Sequence, residues 1–244
     1  MNLISFDIEI AKIIPDFSGD LFAHAPLGIS CAAVAHDDVK FWQGVPQLTK
    51  EENQKMVRDL MAYAEQGYTF VTWNGCGFDF RLLAEESGMA EECSELALNH
   101  VDLMLLVTFN KGWYLGLDKA LKGAGIAGKV HEVTLKNGET LRNMDGGMAP
   151  SLWADAEHDA VLTYLRGDVE QTLALAKNIQ QTNEIRWLSN RGKPQSVAIP
   201  KLLTVRDCFN LPEPDTSWMS NPPTRESFVS WMPDWERKVL GRLF

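Results

Sequence analysis

Apolar residues are grouped along the chain in short runs that predict β-strands. Residues Asn2–Ile10 are dominated by β-branched and other apolar side chains, which is typical of a buried strand. The runs Leu27–Ala35 and Val39–Trp42 are predicted to pair with it, and Asp37-Asp38 is predicted to form the turn between them. A second buried strand is predicted at Tyr68–Trp73.

Helices are predicted where capping signals precede helical spacing. Thr49-Lys50-Glu51-Glu52 fits a capping box, and the helix after it is predicted to end at Gly67. Its inward-facing positions are predicted to be Met56, Leu60, Met61 and Ala64. The other predicted helices lie at about Phe78–Glu86 (stopped at Gly88), Asp118–Lys122 and Glu157–Gln181, beside an apolar segment at Val101–Val107. Strands first and alternation with helices later predict a layered domain of strands and helices.

Two regions lack this regular pattern. Gly123–Pro150 has six glycines and little periodicity, and it is predicted to be a long loop. Beyond Asn183, Glu184–Pro200 predicts a hairpin turned at Asn190-Arg191-Gly192, and prolines interrupt the tryptophan-rich remainder, which is predicted to be partly helical. We therefore expect a domain at residues 1–182 and a C-terminal extension at residues 183–244 packed on it.

Composition and charge exclude several classes of protein. The 244 residues are 45% hydrophobic and 23% charged, which is typical of a globular chain, and no apolar run approaches the roughly 20 residues that cross a bilayer. The first residues lack the pattern of a secretory signal, and the four cysteines lie far apart, so we expect a cytoplasmic protein without disulfides. The formal net charge of −10 argues against non-specific wrapping of duplex nucleic acid.

The first strand carries a pair of acidic residues. Asp7 and Glu9 are two residues apart, so both side chains leave the same face of the strand. Paired carboxylates suit hard divalent cations such as Mg²⁺ or Mn²⁺. A solvated strand face is the alternative, but the surrounding residues are apolar, and a buried charge is costly unless it is paired or metal-bound. We therefore favour a metal site.

Two other acidic positions are candidates. Asp79 follows a strand and a glycine-punctuated turn, where polar side chains reach the mouth of a sheet, although capping of the next helix explains it equally well. Tyr164 and Asp168 are four residues apart and share one helix face. Between them, Gly167 costs about 1 kcal/mol relative to alanine unless another segment approaches closely. Alone, such a pair is more often a surface hydrogen bond than a site.

Taken together, these motifs resemble a known family. Phe6-Asp7-Ile8-Glu9, Asn74-Gly75-x-x-Phe78-Asp79 and Tyr164-x-x-x-Asp168 are similar, in this order, to the three motifs of the DEDD superfamily of 3′–5′ exonucleases, in its tyrosine subclass. The likeness is to the proofreading exonuclease domains of family B DNA polymerases. His100-Val101-Asp102-Leu103 and the segment from Leu117 to Lys129 are further points of similarity. The resemblance covers about residues 1–182.

The resemblance implies an α/β, RNase-H-like fold with a central mixed sheet flanked by helices, and a site for two divalent ions, Mg²⁺ or Mn²⁺. By this likeness Asp7 would bridge both ions, while Glu9 and Asp168 would complete the shell of the first. Asp79 would reach the second ion directly or through water. Tyr164 would orient the water that attacks the terminal phosphate.

The same resemblance implies the substrate and the reaction. The partner would be the 3′ end of single-stranded nucleic acid, DNA being favoured over RNA, and nucleoside monophosphates would be released. The backbone at Ile8 would meet the 3′-hydroxyl, and Asn74 and Phe78 would contact the last nucleotides. A core position for Phe78 fits its sequence context at least as well.

Two other functions remain open from the residues. One is a catalytically idle nucleic-acid-binding or assembly module on the same fold, and the other is a metal-binding domain that hydrolyses small phosphodiesters. In the extension, residues 181–210 have five basic residues against two acidic ones, with Trp187 among them. This hairpin could guide a single strand by backbone attraction and base stacking. A hairpin packed on the domain, or a homodimer surface, is slightly favoured.

Overall fold

The computed structural model describes residues 1–15 and 19–241, apart from the side chain of Leu240. Its central sheet consists of β1 (Asn2–Ile10), β2 (Ile29–Ala35), β3 (Val39–Gln43), β4 (Tyr68–Thr72) and β5 (Val101–Asp102), in the order β3-β2-β1-β4-β5. β1, β2 and β3 pair antiparallel, whereas β4 and β5 continue the sheet parallel to β1. The expected mixed sheet is confirmed, with β1 in the middle position.

Helices cover both faces of this sheet. The α-helices in the described residues are α1 (Lys50–Glu65), α2 (Asp79–Ser87), α3 (Ala90–Asn99), α4 (Leu103–Lys111), α5 (Leu117–Gly123), α6 (Ala149–Ala154), α7 (His158–Thr182) and α8 (Val205–Cys208). On one face of β1, the Ser5 hydroxyl donates to the carbonyl of Val169 on α7 at 2.7 Å. On the other face, the Phe6 ring lies 5.4 Å from the Phe80 ring of α2. Because strand side chains alternate, the odd-numbered positions of β1 face α7.

Most of the predicted elements are observed, with one error in α1. The capping box at Thr49 is present, and Gly88 ends α2 in a left-handed conformation. Met56 and Leu60 are buried as predicted, but Ala64 is exposed. This prediction was wrong because Ala64 borders an open groove between α1 and α3, so the last turn of α1 has no covering layer.

The segment predicted to be one long loop contains a hairpin. Its strands are β6 (Glu132–Thr134) and β7 (Thr140–Arg142), and α6 begins at Ala149. Val133 is buried, while most of the other positions in the two strands are exposed. Strands this short have too few buried positions to produce a detectable alternation, which is why the loop prediction was wrong here.

The apolar segment at Val101–Val107 is divided between two elements. Only two of its residues belong to β5, and the rest begin α4, whose first turn is capped by the side chain of Asp102. Every residue from Leu103 to Phe109 is buried. A helix buried on all sides shows no amphipathic period, so its type was not evident from the pattern.

The C-terminal extension begins with the predicted hairpin, β8 (Glu184–Leu188) and β9 (Pro194–Ala198). A Cβ atom added at Gly123 would lie 2.0 Å from the carbonyl oxygen of Arg186, so α5 and β8 pack backbone to backbone at this glycine. Further along, the Trp231 indole donates to the carbonyl of Cys76 at 2.9 Å. The boundary at residue 182 stays a prediction. No helix in the described residues is long and apolar enough to span a membrane.

Candidate active site

Three carboxylates converge where the end of β1 faces α7. Asp7 and Glu9 are on the face of β1 that is turned to α7, and Asp168 lies on that helix. Each of the three offers an oxygen atom, and these atoms all lie within 4.8 Å of one another. Glu9 and Asp168 are buried, and Asp7 is half-buried. Residues more than 150 positions apart in sequence therefore meet in one acidic cluster.

Asp79 is adjacent to this cluster but does not belong to it. It occupies the first turn of α2, and its Oδ1 atom accepts a hydrogen bond from the backbone N–H of Ile8 at 3.0 Å. Burial raises the pKa of its carboxyl group, which is close enough to Asp7 for the charge of Asp7 to raise that pKa further. The Ile8 N–H is thus engaged by Asp79, so any contact from Ile8 to a substrate has to come from its other atoms.

The turn that leads to Asp79 is held by Asp102. One oxygen of Asp102 accepts from the N–H groups of Asn74, Met104 and Leu105, and the other accepts from that of Cys76, at distances of 3.0–3.2 Å. Asn74 itself has a positive φ of 71°. The Asp102 side chain therefore joins the turn at residues 74–78, which we call the motif-two turn, to the start of α4.

His100 supports the same turn as a neutral ring. Its Nδ1 atom lies 2.6 Å from the Ala97 carbonyl oxygen, which can only accept, so Nδ1 has the proton. Its Nε2 atom then accepts from the Thr72 hydroxyl at 2.9 Å, and this hydroxyl accepts from the N–H of Gly75 at 3.0 Å. Burial lowers the pKa of His100 to about 3, which agrees with the uncharged form.

Lys129 is a site residue that the sequence analysis did not single out. Its Nζ atom donates to Asp168 Oδ2 at 2.7 Å and to the Tyr164 hydroxyl at 2.8 Å. Lys129 comes close to these groups because the next residue, Val130, packs directly against Gly167 of α7. A Cβ atom added at Gly167 would lie only 2.3 Å from the Val130 side chain. Gly167, noted in the sequence for its helical cost, marks this close approach. Lys129 is also the last residue of the segment from Leu117 to Lys129 that contributes to the resemblance.

The carboxyl groups raise one another's pKa. Burial, followed by the charge of Asp168, raises the pKa of Asp7 to about 7. Burial also raises the pKa of Glu9 and Asp79 well above their usual range, and the charge of Asp7 adds to this in both cases. Burial raises the pKa of Asp168 as well, while the Lys129 ammonium opposes that shift. The single positive charge of Lys129 therefore does not neutralise the carboxylates of the cluster.

The donor set fits a divalent cation. Asp168 Oδ1 is buried and has no hydrogen-bond partner, while Oδ2 of the same group is bound by Lys129. A buried carboxylate oxygen without a partner is costly, and a cation between the three carboxylates would satisfy it and remove their repulsion. All the donors are oxygen atoms, which hard cations such as Mg²⁺ and Mn²⁺ prefer.

A cavity of about 350 Å³ opens onto this cluster. Its walls include Ile8, Phe78, Lys129, Gly147 and Pro150, together with Tyr164 and the three carboxylates. Phe78 is half-buried, and its ring lies 5.9 Å from that of Phe22. Asn74 is not among the residues that line the cavity; its side-chain oxygen lies beside Gly77 instead. The cavity can admit a small polar group next to the carboxylates.

Comparison with known proteins identifies the class. The family model of the RNase_H superfamily matches residues 27–180, more than half of the chain, and the chain belongs to this superfamily. Asp79, Tyr164 and Asp168 lie inside the matched range, whereas Asp7 and Glu9 precede it. The RNase-H-like fold implied by the motifs is therefore confirmed.

A solved structure is similar in fold. The family B DNA polymerase from the hyperthermophilic archaeon Pyrobaculum calidifontis matches over 72% of this chain and 24% of that chain, with a TM-score of 0.53 and 18% sequence identity. At this identity the likeness concerns the fold alone, and this chain spans about a quarter of that polymerase. No curated protein matches the chain.

Proposed function

We propose that the protein is a metal-dependent 3′–5′ exonuclease. It would hydrolyse the terminal phosphodiester bond of single-stranded nucleic acid, DNA being favoured over RNA, and release nucleoside monophosphates. The observation that carries the proposal is the convergence of Asp7, Glu9 and Asp168, with ligand oxygens within 4.8 Å of one another, in a fold of the RNase_H superfamily.

In this proposal four carboxylates hold two divalent ions. Asp7, Glu9 and Asp168 would provide the main ligands, and Asp79, bonded to the strand beside them, would complete the set. Bound divalent cations would stabilise the charge that develops on the phosphate oxygens during in-line displacement. The unpartnered Oδ1 atom of Asp168 supports this assignment, because it is an available ligand atom inside the cluster.

Two further residues would act on the reacting groups. The Tyr164 hydroxyl lies one helical turn from Asp168, and we assign it the positioning of the attacking water. The Lys129 ammonium bonds both Tyr164 and Asp168, so it would fix the direction of that hydroxyl and contribute positive charge beside the phosphate. Tyr164 is buried and therefore well fixed in place.

Two of the three proposed substrate contacts, Phe78 and Ile8, line the cavity, and the third, Asn74, lies outside it. Phe78 is half-buried and lines the cavity, so its ring is available to stack on the last base. Ile8 lines the same wall and would meet the terminal sugar. We retain Asn74 as a contact to the last nucleotides, reached by the strand as it passes the motif-two turn.

The proposal is tested with 5′-labelled single strands and Mn²⁺. We expect a ladder of products shortened one nucleotide at a time from the 3′ end, abolished by EDTA. Asp168→Asn removes a carboxylate of the cluster and should eliminate the ladder. Asp159→Asn is the matched control, because Asp159 is an exposed carboxylate on the same helix, and it should leave the ladder intact.

Two results would contradict the exonuclease assignment. Binding of single strands without any shortening would indicate an idle binding module on the same fold. Turnover of small phosphodiesters alone, with intact strands left unchanged, would indicate hydrolysis of a different substrate class. A ladder that survives in Asp168→Asn would show that the carboxylate cluster is not the site of the reaction.

A further inference from the structure

A second cavity, of about 410 Å³, lies between the α4–α5 connection and the β8–β9 hairpin. We call it the aromatic groove, and the residues that define it are Trp113, Tyr114, Lys119, Trp187, Leu188 and Asn190. Its hairpin side belongs to the extension, the part of the chain for which the family resemblance gives no role. The groove is separate from the cavity that opens onto the carboxylates.

We propose that the aromatic groove binds single-stranded nucleic acid several nucleotides upstream of the 3′ end. The inference rests on the proposed exonuclease function and adds to it the path of the strand. Three observations support it: the exposed aromatic surface, the local charge and the packing contacts that connect its wall to the carboxylate cavity.

The groove presents aromatic surface to solvent. Tyr114 is 55% exposed and Leu188 is 52% exposed, both large apolar side chains left uncovered. Behind them, the rings of Trp113 and Trp187 pack edge to face with centroids 5.5 Å apart, and Trp187 is buried. Tyr114 is thus an exposed ring beside a rigid aromatic pair. Such surfaces accept bases of any sequence by stacking.

The charge around the groove is opposite to that of the whole chain. The net charge is −10, but residues 111–123 and 184–198 each have two more basic than acidic residues. The two acids in these segments are already paired, Asp118 with Lys122 and Glu184 with Arg186. The surplus basic residues are Lys111, Lys119, Arg191 and Lys193. A polyanion is the partner that this local excess attracts.

Packed side chains connect the wall of the groove to the wall of the carboxylate cavity. The Tyr114 ring lies 6.1 Å from that of Phe228, and a Cβ atom at Gly77 would lie 3.2 Å from the Phe228 ring. The next residue, Phe78, lines the carboxylate cavity. The Phe228 ring is buried, so these contacts fix Tyr114 relative to Phe78. In the proposal, a strand stacked on Tyr114 would pass over this packed region and place its end at the carboxylates.

Helix α5 provides a second connection between the two cavities. Its Lys119 lies in the groove and donates to Asn190 at 2.9 Å. The preceding residue, Asp118, accepts from the backbone N–H of Lys129 at 3.3 Å. Neighbouring residues of one short helix thus contact the groove and the segment that bears the catalytic-site lysine.

The test measures binding without any requirement for activity. Fluorescence anisotropy with a labelled 12-nucleotide oligothymidylate in EDTA reports contacts made away from the metal ligands. Tyr114→Ala should weaken binding about 10-fold, the loss expected for one stacked base. Trp218→Ala is the matched control, since Trp218 is 68% exposed and lies outside the groove, and it should leave the affinity unchanged.

Charge and location are tested separately. Lys119→Ala should reduce the slope of log K against log salt by about 0.7, the value expected for one phosphate contact on a single strand. A strand with 5-iodouracil upstream of its 3′ end should cross-link to the peptide that contains Trp113 and Tyr114. Cross-links confined to other peptides would overturn the proposal.

The outcomes separate this inference from the exonuclease proposal. If strands are shortened but Tyr114→Ala binds them like the unmodified protein, the groove assignment is wrong and the exonuclease stands. If Tyr114→Ala weakens binding but no strand is shortened, the groove stands and the exonuclease assignment is wrong. If the protein neither binds nor shortens single strands, both fail.

Discussion

Two carboxylate groups in this fold, the single residue Asp102 and the cluster of Asp7, Glu9 and Asp168, differ in how their oxygen atoms are satisfied. Asp102 is buried behind the motif-two turn, yet its two oxygens accept four backbone N–H bonds. The cluster of Asp7, Glu9 and Asp168 has one lysine between three carboxylates, and one of its oxygens has no partner. The oxygens of Asp102 are therefore satisfied by the backbone, whereas the cluster lacks positive charge.

This difference distinguishes a carboxylate held by backbone donors from a cluster suited to a cation, without reference to any family. A buried anion bonded by the backbone restrains the chain segments that donate to it. Buried anions that face each other raise one another's pKa, and they are stabilised by a cation. The pKa of Asp102 is raised to about 6 by burial against the lowering effect of its backbone donors, whereas like charge adds to burial at Asp7.

The largest expected effect is on catalysis at the cluster. Asp7→Asn should reduce the rate of strand shortening by about 1,000-fold or more, because it removes a carboxylate on which cation binding depends. The free energy of unfolding without metal should stay the same or rise, since a repulsive group is lost. Urea denaturation and cleavage rates measure the two quantities. If the Asp7→Asn variant keeps an activity within tenfold of that of the unmodified protein, Asp7 is not part of the active site.

The next largest effect is on stability at Asp102. Asp102→Asn keeps the shape of the side chain but turns an amide N–H₂ group toward backbone donors that need an acceptor. We expect the free energy of unfolding to fall by about 2–4 kcal/mol. Denaturation in urea at pH 7.5 measures it. A change in the free energy of unfolding below about 1 kcal/mol would mean that the four hydrogen bonds do not hold the turn. The proposed difference between Asp102 and the cluster would then be wrong.

Metal binding should separate the two groups directly. A ligand that binds only the folded state adds about 2.7 kcal/mol of stability at 100 times its Kd. Mn²⁺ should therefore raise the melting temperature of the unmodified protein and of Asp102→Asn by similar free energies. The increment should be lost in Asp7→Asn, and a stabilisation retained in that variant would place the cation elsewhere.

Much of the fold could be predicted because its strongest elements have local signals. β1, α2 and α7 each combine a clear apolar pattern with recognisable ends. The β6–β7 hairpin was missed because its strands are three residues long, and α4 was missed because it is buried all round and shows no helical period. A helix or strand that is buried on all sides, or exposed on nearly all, has no alternation between apolar and polar residues from which its period could be recognised.

The candidate site was predictable to the extent that its residues lie on regular elements. Asp7 and Glu9 share a strand face, and Asp168 lies on a long helix, so their positions follow from element geometry once the motifs are paired. Lys129 comes from an irregular segment, and its contact with Asp168 depends on Val130 packing at Gly167. The glycine indicated that a segment passes there, but nothing local indicated which residue it presents.

The smallest expected effect concerns His100. It shows whether Asp102 is stabilised by its backbone hydrogen bonds alone or also by an ion pair with His100. The His100 Nε2 atom lies 3.8 Å from Asp102 Oδ2, so a protonated ring would form an ion pair and its pKa would be raised. The neutral ring instead has a folded pKa of about 3, below the unfolded value of about 6.5. As the pH falls, His100 is therefore protonated in the unfolded state before it is protonated in the folded state. The stability that the neutral ring contributes above pH 6.5 is lost as the pH falls toward 3.

The measurement compares the unmodified protein with His100→Gln at pH 7.5 and pH 5.0. Asp102 titrates in the opposite sense, because its folded pKa is raised, but its contribution is common to both proteins and cancels in the difference. With a neutral ring, the unmodified protein should lose about 2 kcal/mol more than the variant over this interval. An ion pair would reverse the sign, since a raised histidine pKa adds stability as the pH falls. That reversal would make Asp102 a charge-paired group like Asp168 and would remove the contrast between the two carboxylate groups.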